Sequence, residues 1–257
     1  MAEKVSKATL GERLRAAWGE HGTWAILLTS ACLGMVAAWP PGWISLATLA
    51  GLSGLAAAKV LAVRTWRREE GWGFLLAVSV GSGLALLPLL VRAPAATAAV
   101  GASGLPFLAL YLREAREPRW TRTLLVETAG TLLLATSAGL GILASRPLAL
   151  ADAVLASLAA ALLFLPGVPR VRLLKEPRGV FRLAVLLLAL TGAATIAVLA
   201  ATGVTAPWGA LAALVFAGDL RAAWVVPAVS ARHLGLALTL RSVPAALVLG
   251  LAWRPVA

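Results

Sequence analysis

Apolar runs of about 20 residues alternate with short polar connections along almost the whole chain. A helix rises about 1.5 Å per residue, so about 20 apolar residues cross a hydrocarbon layer of about 30 Å. The pattern predicts nine spans, at residues 22–39, 43–63, 73–91, 94–112, 122–144, 149–168, 180–201, 205–226 and 233–253. An alternative count of eight merges or demotes the segment 94–112. The expected fold is therefore an all-α, polytopic transmembrane helix bundle. Residues 1–20 are more polar, and Leu10, Leu14, Ala17 and Trp18 recur at helical spacing beside Arg13 and Arg15. That spacing predicts an amphipathic helix on the cytoplasmic surface, with a frayed tail as the alternative. The first twenty residues lack an apolar core followed by a small-residue cleavage site, so no cleavable signal peptide is expected. The chain divides into a cytoplasmic segment, 1–20, and a transmembrane domain, 21–257.

Charge orients the bundle. The net charge is +12, yet only 13% of residues are charged and 60% are hydrophobic. The basic residues sit at span ends, where they meet lipid headgroups, and not in a nucleic-acid-binding stripe. The N-terminal segment carries Lys4, Lys7, Arg13 and Arg15, and the second connection Arg64, Arg67 and Arg68. The fourth carries Arg113, Arg116, Arg119 and Arg122, the sixth Arg170, Arg172, Lys175, Arg178 and Arg182, and the eighth Arg221 and Arg232. The odd connections hold Arg92, Arg146 or no basic residue at all. Basic loops stay in the cytoplasm, so the N-terminus is expected inside and the C-terminus outside. Ten Trp against one Tyr suit interfacial anchors, notably Trp39, Trp43, Trp66, Trp72 and Trp120.

Charges within spans mark the candidate chemistry, because each is unfavourable in lipid unless paired or wet. Glu127 lies near the start of the fifth span and Asp219 near the end of the eighth. Arg241 lies about 12 Å into the ninth, deep for a snorkelling side chain. A pair between Arg241 and Glu127 or Asp219 is expected, with Glu127–Arg241 as the leading candidate. Lys59 fits snorkelling, and Asp152 a helix start. Glu20 and His21 open the first span at headgroup level, suited to hydrogen-bonding a quinone carbonyl or a phosphate; His233 opens the ninth from the same side. Capping at the interface is the structural alternative for both histidines. The single cysteine, Cys32, excludes an intramolecular disulfide and any multi-cysteine metal site. No phosphate-binding Gly-rich loop and no His-Glu-x-x-His occurs. No cofactor or metal is expected.

The run Glu20-His21-Gly22-Thr23-Trp24-Ala25-Ile26-Leu27-Leu28 resembles the opening of the YwiC-like family of bacterial integral membrane proteins, with Thr23 where that family usually has Ala. Glu127-Thr128-Ala129-Gly130, Pro169-Arg170-Val171-Arg172, Asp219 to Trp224 and Ala231 to Gly235 are similar to its later elements. This resemblance implies a membrane bundle and no particular chemistry. The nine-span layout, the charged second and sixth connections and the early Glu127 also resemble, more distantly, UbiA-type prenyltransferases. Those enzymes hold a polyprenyl diphosphate through magnesium bound by Asp-rich motifs on two such connections. Laid on the first motif, this chain puts Lys59 and Ala62 at its Asn positions, Val63 and Trp66 at its first two Asp positions and Glu70 at its third. The second motif region, Arg170 to Arg178, offers only Glu176. Magnesium needs hard oxygen ligands, whereas Arg forks onto an anion directly. The resemblance thus implies a UbiA-like bundle without magnesium-dependent prenyl transfer, binding a lipid, isoprenoid or quinone-type ligand. Its head would meet Glu20, His21, Arg64, Arg68, Arg170 and Arg172, with Glu127 and Arg241 as a buried polar pair. The alternatives are an active prenyltransferase using Glu69, Glu70 and Glu176, and a small-solute transporter. The basic residues also fit topology alone.

Overall fold

A computed structural model describes residues 21–68, 71–95, 98, 109, 124–175, 179–225 and 231–254. Helices dominate because long Leu- and Ala-rich stretches, lacking water to bond their backbone, must satisfy it internally. In chain order they are α1 His21–Ala37, α2 Trp43–Arg68, α3 Trp72–Arg92, α4 Leu124–Ala135, α5 Ser137–Ser145, α6 Leu150–Phe164, α7 Gly167–Lys175 and α8 Gly179–Ala201. A 3₁₀ helix, Pro207–Phe216, then runs into α9 Ala217–Trp224, and α10 Ala231–Ala252 closes the order. Among the described residues the only β pairing is an isolated bridge between Thr205 and Trp253.

Among the described residues five segments are long and apolar enough to cross a membrane: Trp72–Arg92, Glu127–Ser145, Leu150–Leu174, Gly179–Ala201 and His233–Ala252. Trp24–Ala37 and Trp43–Ala58 are shorter apolar helices. This is a membrane-type, multi-pass helical architecture. Of the expected fourth span only 94, 95, 98 and 109 are described, each helical; the rest of it and the segment 1–20 lie outside the described residues.

Several boundaries differ from the apolar count, each for a local reason. The fifth segment breaks at Thr136, whose hydroxyl donates to the Leu133 carbonyl at 2.6 Å. The sixth breaks at Leu165–Pro166, since proline removes a donor and crowds the preceding turn. It then continues as α7 through residues read as a connection. The turn after α8 uses Gly203 at φ 79°, a left-handed conformation suited to glycine, and Thr205 N–H donates to Leu199 O at 3.0 Å.

The main core joins α1, α5, α6, α8, the 3₁₀ helix and α10 through Leu33, Ile142, Leu163, Ile196, Phe216 and Leu249. A second cluster ties α2 and α3 to α5 and α6 through Ile44, Leu89, Leu143 and Ala153. Helix ends gather at two opposite levels. At one, Arg146 Nη2 donates to Ala37 O at 2.9 Å, Ser45 and Ser145 hydroxyls lie 2.9 Å apart, and Ala206 N–H donates to Ala252 O at 2.7 Å. There too the Trp253 indole N–H donates to the buried Asp152 carboxylate at 2.9 Å. Asp152 is thus more than a helix-start residue: it fastens the end of α10 to the start of α6. Trp253→Phe, which keeps an aromatic ring but removes the indole donor, is expected to cost at least about 1.5–3 kcal/mol in unfolding free energy, read by thermal unfolding in detergent.

Candidate functional site

The other level collects the charges. α7 is a short helix whose Arg170 and Arg172 are two positions apart, so they leave the helix on different sides. On one side Arg172 Nε donates to Glu127 Oε2 of α4 at 3.2 Å. On the other, Arg170 Nη1 donates to Asp219 Oδ1 at 3.0 Å. Asp219 sits in the first turn of α9 and its side chain is 0% exposed. It also accepts both bonds from Arg241 Nη2 of α10, at 2.6 and 2.5 Å. Arg241 Nη1 donates to the Val215 carbonyl at 3.0 Å, where the 3₁₀ helix gives way to α9. Gly218 leaves room for this guanidinium, because a Cβ there would lie 3.1 Å from Arg241 Nη1.

The expected Glu127–Arg241 pair is therefore not the one formed. Each acid meets a base on a segment adjacent in sequence: Glu127 meets Arg172, and Asp219 meets Arg241. Depth in the span governed the expectation, whereas lateral neighbours decided the pairing. Arg170 and Arg172 each hold a carboxylate, Asp219 and Glu127 respectively. Asp219 is the hub that sequence reasoning placed second. Its signal was an acid about two helical turns from a span end, with a deep arginine in the next span.

The cluster remains short of acceptors. Arg170 Nε, Arg172 Nη2 and Arg241 Nε are buried without a hydrogen-bond partner among the described residues. Arg170, Arg241 and Asp219 together carry two positive charges and one negative, a net of +1. Arg172 and Glu127 balance one another.

Other sequence candidates contribute less. His21 opens α1, and Arg64 and Arg68 lie in the last turns of α2, but their side chains are outside the described residues. Glu20, Glu69, Glu70 and Glu176 lie outside them altogether. His233 is exposed near the start of α10. No group of three His, Cys, Asp or Glu side chains able to hold a metal occurs among the described residues.

A family model described as YwiC-like protein matches residues 19–140. Residues 19–140 are thus similar to that family. No curated protein and no solved structure matches the chain. The YwiC-like region takes in the Glu20-His21-Gly22-Thr23-Trp24-Ala25 opening and Glu127, together with α1 to α4 and the first part of α5. Arg170, Arg172, Asp219 and Arg241 lie beyond it. The charge cluster therefore joins one acid of the YwiC-like region to four residues from the rest of the chain.

Proposed function

We propose that this protein spans a bacterial cytoplasmic membrane nine times, N-terminus inside. It binds an amphiphile whose anionic head sits at the Arg170–Asp219–Arg241 cluster and whose apolar tail lies among the helices. The observation that carries this reading is the excess positive charge and the buried, unpartnered N–H groups at one end of an otherwise apolar bundle. Arg is suited to hold carboxylate or phosphate without a metal. The orientation draws support from the gathering of Glu127, Arg170, Arg172, Asp219 and Arg241 at one level, the level where basic connections fall. A UbiA-like layout belongs to this reading, supported by the order of the apolar segments.

The test is mass spectrometry of the protein purified gently into detergent and into nanodiscs. The expected result is an enriched lipid or isoprenoid-type species in wild type, depleted severalfold in Arg170→Gln. An identical lipid profile in both, matching the bulk membrane, removes the reading.

A second reading, a small-solute transporter, draws on the interruptions at Thr136 and Leu165–Pro166 and on the 3₁₀ helix, since broken helices line many transport sites. Energised uptake into vesicles without any co-purified amphiphile would favour it.

A further inference from the structure

We infer that the unmatched edges of Arg170 and Arg241 hold one singly charged oxyanion, a carboxylate or a phosphodiester. The inference deepens the amphiphile reading and rests on it only for the source of the anion.

Asp219 bridges the two guanidinium groups and accepts three hydrogen bonds from them. The Nε–H of each arginine is buried and has no acceptor. Among the described residues, two donors and one positive charge in excess thus share a carboxylate that is already engaged. Buried N–H groups of a charged side chain are costly to leave unmade. Water would supply acceptors but no charge. A single oxyanion supplies both, and guanidinium N–H groups match its paired oxygens. The charge balance sets the valence: one negative charge neutralises the triad. A second would stand unpaired in a low-dielectric setting, where unpaired charge is strongly disfavoured. Arg172 adds no excess because Glu127 neutralises it.

The full chain in phosphatidylcholine nanodiscs provides the test, with unfolding temperature as readout. One arm adds phosphatidylglycerol, a singly charged phosphodiester lipid; a second adds soluble dimethyl phosphate or acetate; a third adds phosphatidic acid. Three chains are compared: wild type, Arg170→Lys and Arg182→Gln. Lysine at 170 keeps the charge that pairs with Asp219 but lacks the Nε edge. Arg182 is exposed on α8 and controls for general surface charge. The expected result is a saturable rise with phosphatidylglycerol in wild type and Arg182→Gln. Arg170→Lys should need about tenfold to a hundredfold more lipid, the equivalent of one charge-assisted hydrogen bond. A rise with the soluble anions alone would keep the oxyanion seat and overturn the amphiphile reading. A rise only with phosphatidic acid would overturn the single charge. No rise in any arm, or the same response in Arg170→Lys as in wild type, would overturn the seat itself.

Discussion

Asp219→Ala is expected to cost about 3 kcal/mol of stability, because it strands two half-buried arginines without their carboxylate. The carboxylate is fully buried and tethers α7, α9 and α10 through Arg170 and Arg241. A loss of that size is a large fraction of the usual net stability of about 5–15 kcal/mol. The measurement is the yield of monodisperse protein and its unfolding temperature in mild detergent. Mutual repulsion of the two guanidinium groups would persist after the substitution, so salt should partly restore the variant. Replacing the whole triad by apolar residues, Arg170→Met with Asp219→Leu and Arg241→Met, is expected to recover most of the stability, since no charge is then left buried alone. The same triple variant should lose its response to anions, which separates the structural role of the cluster from binding. An Asp219→Ala chain that unfolds at the wild-type temperature would show that the triad holds nothing together.

Gly34→Val is the second substitution expected to act strongly. Even a single Cβ at Gly34 would overlap the Ala138 carbonyl, and this is backbone that has no side-chain freedom with which to yield. The partner side of the same crossing is equally tight: a Cβ at Gly141 would lie 3.1 Å from Met35 N and 3.2 Å from Ala31 O. α1 and α5 therefore meet backbone to backbone, as small residues allow in membrane bundles. Forcing them apart disturbs Leu33 and Ile142 of the main core. Overpacking usually costs about 1–3 kcal/mol, and a backbone clash belongs at or above the upper end. Gly81→Ala on α3 is the control, because nothing lies within 4 Å of a Cβ there. It should leave stability unchanged or raise it by up to about 1 kcal/mol, through helix propensity alone. Equal unfolding temperatures for Gly34→Val and Gly81→Ala would mean that this crossing is loose.

Much of the helix placement was legible because lipid imposes a minimum apolar length. The expected 73–91 became α3 at Trp72–Arg92, and the expected 180–201 became α8 at Gly179–Ala201. Interruptions were less legible. Pro166 is an obvious breaker, but apolar length alone does not show that α7 resumes beyond it and carries Arg170 and Arg172 inward. Nor does composition distinguish a 3₁₀ winding from an α winding in Pro207–Phe216, since both suit the same Leu- and Ala-rich stretch. The charged residues themselves stood out, since each is rare in an apolar span. Their partners did not, because depth along a helix says nothing about which helix lies beside it. Glu127 and Arg241 both stood out as charges within spans, yet adjacency in the chain brought Asp219 to Arg241 and Arg172 to Glu127.

The 3₁₀ winding has a consequence for reach. Pro207–Phe216 has ten residues and α9 has eight. At about 2.0 Å per residue for the first and about 1.5 Å for the second, the two together extend about 32 Å. Wound wholly as α-helix, the same stretch would extend only about 27 Å. The tighter coil thus acts as a spacer that delivers Asp219 to its arginines with few residues.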